Sequence, residues 1–176
     1  MILEPTPFAG LFVVRQERFV DERGFFARTW CGDDFAKAGR PFVPVQTSVS
    51  FSTALHTLRG MHWQADPHGE TKLVRVTRGA VFDVAIDLRP GSPTQGRWHG
   101  LQLDEDNGDA FLIPPGFAHG LLTLAPDTEV LYAMDVPFVA GAARGARWND
   151  PAFAIHWPAR PAVIAAKDEA WADWRP

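Results

Sequence analysis

GAVFDVAIDLRPG, residues 79–91, puts Val81, Asp83, Ala85 and Asp87 on one parity and Phe82, Val84, Ile86 and Leu88 on the other. A β-strand sends those two sets to opposite faces, and the set of Phe, Val, Ile and Leu belongs in a core. Short apolar stretches of similar kind lie on either side: LFVV (11–14), KLVRV (72–76), GLQL (100–103), AFLI (110–113), GLLTL (120–124) and TEVLYAM (128–134). They are separated by turn-rich pieces, DERG (21–24), RPGSP (89–93), DEDNG (104–108) and PPG (114–116). Strands punctuated in this way predict an all-β antiparallel sandwich or jelly roll. Two short helices are expected at its edge, DDFAKAG (33–39) and AAKDEAWADW (165–174).

The 176 residues fit one domain, 1–176, and no repeat, low-complexity segment or linker interrupts them. There are 15 glycines and 15 prolines, above the average share and in keeping with many tight turns. A net charge of −4 without any basic block argues against nucleic-acid binding, which needs clustered Lys and Arg. No apolar run reaches the roughly 18 residues of a membrane helix. The start, MILEPTPFAGLFVV, lacks the basic region of a secretory signal, so a cytoplasmic protein is expected. The single cysteine, Cys31, can form neither an internal disulfide nor a cysteine-rich metal site.

Two segments carry chemistry. LRGMHWQ (58–64) is followed by Lys72, and GDAFLIPPGFAHG (108–120) has the spacing Gly, five residues, Pro, one, Gly, two, His. The second resembles the second sequence motif of the cupin superfamily, with Thr123 in place of its final Asn. Metal-binding cupins carry His-x-His in the first motif, whereas this chain reads His62-Trp63-Gln64. Glutamine is a poor ligand for a transition metal, so acid–base chemistry without a metal or other cofactor is the expectation.

A more specific resemblance follows from motifs in order: DERGFF (21–26), LRGMHWQ (58–64), KLVRVTRGAVFDVAIDLRPGSPTQGRW (72–98), IPPGFAHG (113–120), Tyr132, WNDP (148–151) and AKD (166–168). Together they resemble the dTDP-4-dehydrorhamnose 3,5-epimerase family. The resemblance implies a cupin jelly roll of two antiparallel sheets, a homodimer with N-terminal strand exchange, and a nucleotide-diphosphate deoxysugar as substrate. It also implies inversion at C3, C5 or both beside a C4 ketone. On the same resemblance His62 is the base, Asp168 its carboxylate partner, Lys72 the cation near O4, and Tyr132 the acid on the opposite face. Arg23 and Arg59 fall on positions that hold the diphosphate and nucleotide; Phe26, Arg28, Gln46, Ser48, His119 and Phe138 fall on further substrate-side positions.

The residue types suit that chemistry. A C–H beside a ketone is a weak acid and needs a positioned base, and imidazole, with an ordinary pKa near 6.5, fits. A carboxylate on the other ring nitrogen fixes the tautomer, and a lysine stabilises the enolate oxygen as charge develops. Tyr132 is the only tyrosine beside 13 Phe and 7 Trp. Each residue also has a bland reading: a satisfied core histidine for His62 or His119, an edge-strand lysine for Lys72, a buried core ring for Tyr132, a helix-surface acid for Asp168.

Three positions depart from the family pattern. Arg28 stands where Glu is usual, Ser48 where Asn is usual, and Phe138 where an aromatic hydroxyl often follows the tyrosine by six residues. A guanidinium only donates where a carboxylate only accepts, so an altered base preference is expected. The alternatives are a single-centre epimerase or a 3,4-ketoisomerase, a metal-dependent cupin enzyme, and a non-catalytic nucleotide-sugar binder.

Overall fold

The computed structural model describes residues 1–175. In chain order its elements are β1 (Ile2–Pro5), β2 (Phe12–Arg15), β3 (Arg18–Asp21), β4 (Gly24–Ala27), α1 (Gly32–Lys37), β5 (Gln46–Ser52) and β6 (Thr57–Gln64). There follow β7 (Lys72–Arg78), β8 (Ala80–Asp87), β9 (Trp98–Asp104), β10 (Ala110–Ile113), β11 (Phe117–Thr123) and β12 (Thr128–Met134). A 3-10 turn (Ala140–Ala142), β13 (Ala143–Gly145), β14 (Val163–Ile164) and α2 (Ala166–Glu169) complete the described chain.

Two sheets pack face to face as the expected jelly roll. One has the order β1-β2-β10-β7-β12-β5, the other β13-β6-β11-β8-β9. All pairs within these paths are antiparallel, but β14 joins β6 in parallel, through Val163↔Thr57 and Ile164↔Leu58. Between the sheets Val74, Val76, Phe111 and Val130 of the first meet Val81, Ala85, Leu103 and Leu121 of the second. A second core, with Val14, Phe35, Phe42 and Leu73, covers the outside of the first sheet. A third, with Met61, Val84, Ile86 and Phe153, covers the outside of the second.

That layering revises the reading of residues 79–91. Both faces of β8 are buried. Val84 and Ile86 do enter a core, but it is the outer one, beneath the C-terminal segment with Trp157 and Trp174. The parity that carries Asp83 and Asp87 faces the barrel interior, beside Val81 and Ala85. Asp87 is held there by Arg89, Ser92 and Thr94, which fasten the turn after β8.

The helix expected over 165–174 is only the four residues of α2. Its continuation is captured by packing: the Trp174 ring stacks on Phe153 with centroids 5.2 Å apart, and the Trp174 backbone N–H donates to Asp150 Oδ2 at 2.6 Å. A four-residue helix has no stability of its own, so tertiary contacts decide where it stops. The hairpin of β3 and β4, turning at DERG, pairs with neither sheet.

Candidate active site

A groove between the sheets has two adjoining lobes of about 460 and 370 Å³, which share Ser48, His62, Lys72, Tyr132 and Lys167. The sheets supply opposite walls. Lys72 and Tyr132 come from neighbouring strands of the first sheet, β7 and β12. His62 and His119 come from β6 and β11 of the second, directly across from one another.

Arg59 and His62 are three residues apart on β6, so unbroken alternation would send them to opposite faces. The β6–β11 register shifts between His119 and Leu121, pairing His62 with His119 and Arg59 with Leu121. Both side chains thereby face the groove. The shift needs two bare backbones. A Cβ on Gly60, whose φ is +128°, would lie 2.5 Å from Gly120 Cα, and one on Gly120 would lie 2.4 Å from Met61 Sδ.

Asp168 is buried, and its Oδ1 lies 2.6 Å from His62 Nε2. Its Oδ2 accepts the Gly60 N–H at 3.3 Å, on the edge of β6 between the stretches paired with β13 and β14. Burial alone would raise the Asp168 carboxyl, but the hydrogen bond and charge of His62, the Gly60 N–H and the Lys167 charge together hold it below the ordinary carboxylate value. An ionised carboxylate only accepts, so Nε2 carries a proton, and in the neutral imidazole Nδ1 is the nitrogen with the lone pair. The imidazole is thus oriented as a base. Trp171 supports this end of the groove: a Cβ on Gly145, the residue opposite His62 on β13, would fall 2.2 Å from its indole.

On the facing wall the Tyr132 hydroxyl lies 3.3 Å from Ser50 Oγ. Burial pushes its pKa up to about 12; the Asp83 charge adds to the rise, while Ser50 and Arg59 oppose it. The phenol therefore keeps its proton throughout the neutral range. Its ring meets His119 edge-on, with centroids 6.0 Å apart. His119 Nε2 is bonded to Asp83, a second imidazole–carboxylate pair inside the barrel. Asp83 Oδ2 is buried and has no hydrogen-bond partner among the described residues. Lys72 Nζ pairs with Glu70 Oε1 at 2.9 Å and lies 3.4 Å from the His62 carbonyl oxygen. Among the described residues no group of three or more His, Cys, Asp or Glu side chains converges as a metal site. No helix among them is long and apolar enough to cross a membrane.

Comparison with known proteins gives the family. Residues 5–175 match the family model described as dTDP-4-dehydrorhamnose 3,5-epimerase. The chain is 40% identical over 171 residues to the dTDP-4-dehydrorhamnose 3,5-epimerase of Sinorhizobium fredii (strain NBRC 101917 / NGR234), covering 97% of this chain and 88% of that one. The chain belongs to the dTDP-4-dehydrorhamnose 3,5-epimerase family. It is an isomerase by descent, from a family that works without a cofactor. The Bacillus anthracis str. Ames epimerase, solved with TDP and PPi bound, superposes with a TM-score of 0.95 at 37% identity, covering 98% of this chain and 99% of that one. A dTDP-4-dehydrorhamnose 3-epimerase of Streptomyces niveus is 34% identical over 170 residues, covering 96% of this chain and 82% of that one.

Of the epimerase-family positions read from the sequence, His62, Lys72, Tyr132, Asp168, Ser48, Arg59 and His119 line the larger lobe. Gln46 and Phe138 line the smaller one, where Gln46 Oε1 accepts the Phe138 N–H at 3.0 Å. Arg59 is held at its lobe by Ser52 Oγ at 3.1 Å and the Phe51 carbonyl at 2.9 Å. Arg23, Phe26 and Arg28 do not reach the groove of their own chain. Arg23 pairs with Asp21 at the hairpin turn, and Phe26 and Arg28 lie with Met1 and Asp34 at another surface. Several residues in or against the site escaped the sequence reading, Ser50 and Trp171 among them. Asp83 was visible only as the polar parity of a strand, and Glu70 and Lys167 only as flanks of Lys72 and Asp168.

Proposed function

We propose that this protein inverts C5, C3 or both of a dTDP-4-keto-6-deoxyhexose, in deoxysugar biosynthesis of the rhamnose type. The observation that carries the mechanism is the placing of an oriented imidazole and a protonated phenol on opposite walls of one groove. His62 Nδ1 removes the proton beside the ketone, and the Asp168 carboxylate stabilises the imidazolium that forms. The electron pair moves onto O4, where the Lys72 ammonium meets the developing charge away from bulk water. Tyr132 then delivers a proton to the carbon from the other face. Once the imidazolium has released its proton to solvent and the phenolate has regained one from it, repeating the cycle at the second carbon on the other side of C4 gives the double inversion. Inversion at one carbon is the second reading, favoured by the kinship with a 3-epimerase.

We assign Arg59 and Lys167 to the diphosphate. Arg23, Phe26 and Arg28 act on the nucleotide of a second copy, which makes the working unit a homodimer. Phe19, Val20, Phe25 and Phe26 are all exposed on a hairpin that joins neither sheet, and β1 is already paired with β2 in its own chain. On β5 the register aims Gln46, Ser48 and Ser50 inward with Tyr132, leaving Val49 and Phe51 exposed on the other side of this edge strand. A second copy covering these surfaces would bury the apolar area and complete the nucleotide end of each groove.

The test is incubation with dTDP-4-keto-6-deoxyglucose in D₂O, followed by NMR at C3 and C5, beside a His62→Ala control. Deuterium at both carbons, absent from the control, is expected for the 3,5-epimerase; one labelled carbon identifies the single-centre enzyme. No label with this sugar or its UDP, CDP and GDP counterparts would overturn the reading. Light scattering of Phe19→Asp addresses the dimer: a variant that keeps the wild-type mass refutes the hairpin's role.

A further inference from the structure

We infer that Glu70 is a positioning residue for Lys72, and that it sets the rate of enolate formation without touching the substrate. This rests on the epimerase reading of the groove. Glu70 lines the smaller lobe and Lys72 the wall shared by both, with side-chain exposures of only 10% and 13%. An ammonium has three donors and no acceptor. One reaches Glu70 Oε1 at 2.9 Å and a second faces the carbonyl of His62 itself at 3.4 Å. The third is left for an oxygen in the groove that Lys72 lines. A four-carbon stem is otherwise free to swing, and a swinging charge stabilises an enolate poorly because electrostatic catalysis depends on donors fixed in advance.

Glu70 is itself fixed. Its Oε2 accepts from Gln64 Nε2 at 3.1 Å. The same amide nitrogen reaches the His68 carbonyl at 3.2 Å, and Gln64 Oε1 accepts the Val139 N–H at 2.6 Å. Gln64 therefore ties the connection ahead of β7 to the segment after β12. Position 64 is where a metal-binding cupin would carry its second imidazole; here an amide at that place anchors the carboxylate that anchors the lysine. Both oxygens of Glu70 are thus occupied by protein groups, so it acts through Lys72 rather than on the sugar.

The test measures turnover and C–H exchange for Glu70→Ala and Glu70→Gln, each alone and in a Lys72→Met background, with thermal melts of these five proteins and of wild type. Glu70→Ala is expected to lower kcat about ten- to a hundredfold with KM within about threefold, because the lost interaction matters chiefly once charge develops. Glu70→Gln, which still offers a carbonyl oxygen to the ammonium, falls between alanine and wild type. With Lys72 already Met, Glu70→Ala should cost less than about twofold more, because the two residues act as one unit. A single electrostatic group is worth about 10²–10³ in rate, so the Lys72→Met background retains exchange that a long NMR time course can read.

An equal loss in both backgrounds overturns the inference, as does a rise in KM alone or a loss that follows the melting temperature. A silent wild type would refute the epimerase reading and this role with it. An active wild type unaffected by Glu70→Ala would refute the role alone.

Discussion

Replacing Tyr132 with Phe removes one oxygen and keeps the ring that packs edge-on against His119. Among the described residues the hydroxyl has one partner, Ser50 Oγ at 3.3 Å, on an edge strand where water can replace it. The loss in stability is therefore that of one neutral hydrogen bond, about 0.5–1.5 kcal/mol. For a chain of this length that is a fall in Tm of about 1–6 °C. The effect on chemistry is much larger and unequal. His62, Asp168 and Lys72 remain, so the proton still leaves and returns on the base's side. Deuterium exchange in D₂O should persist within about tenfold of wild type, while formation of the inverted sugar falls about 10²–10⁴-fold, the usual worth of a general acid. The assay follows label and product configuration in one NMR time course. Exchange and inversion falling together, or inversion surviving, would refute the assignment of Tyr132 as the acid on the opposite face.

Asp168→Asn should lower kcat about 10²–10⁴-fold, because an amide can present either an oxygen or an NH₂ to Nε2 and no longer enforces the basic tautomer. Since the folded state holds the Asp168 carboxyl below its ordinary value, its stabilisation is present above about pH 4 and fades as pH falls through the lower folded pKa. The Tm gap between wild type and Asp168→Asn should therefore narrow from pH 7 to pH 3, and melts at both ends check it. Asp87→Asn should destabilise by about 2–4 kcal/mol in urea titrations while leaving kcat unchanged, because it loosens the Arg89–Ser92–Thr94 turn outside the groove. Gly145→Ala should cost about 1–3 kcal/mol and lower kcat as well, by displacing Trp171 and the segment that delivers Asp168. Indole fluorescence and activity, measured together, should change together.

The architecture was legible in the sequence because Gly/Pro turns and period-two stretches are local signals. Which side of a strand meets which layer is not local. In β8 the alternation separates the faces correctly, yet the more apolar face lies outward, because a C-terminal segment some 70 residues away covers it. The C-terminal helix ended early for the same reason, its tryptophans being drawn onto Phe153 and Gly145. The residues that gather in the groove were legible through motif order, whereas Glu70 and Asp83 are ordinary acids in sequence and acquire meaning only from Lys72 and His119. The hairpin shows the complementary failure: DERG announces its turn, but no single-chain pattern says that the two strands beside it will pair only with each other.

The three departures from the family pattern share one physical setting. Arg28, Ser48 and Phe138 are all exposed, whereas Asp168 is buried and His62, Lys72 and Tyr132 are part-buried. An exchange at an exposed position disturbs little packing, usually within about 0.5 kcal/mol, while one in the buried set endangers the fold. This division leaves the recognition rim free to drift toward new nucleotides or sugars while the proton-transfer apparatus stays fixed. A lineage built this way can acquire new substrates by substitution at its rim without passing through an unstable ancestor.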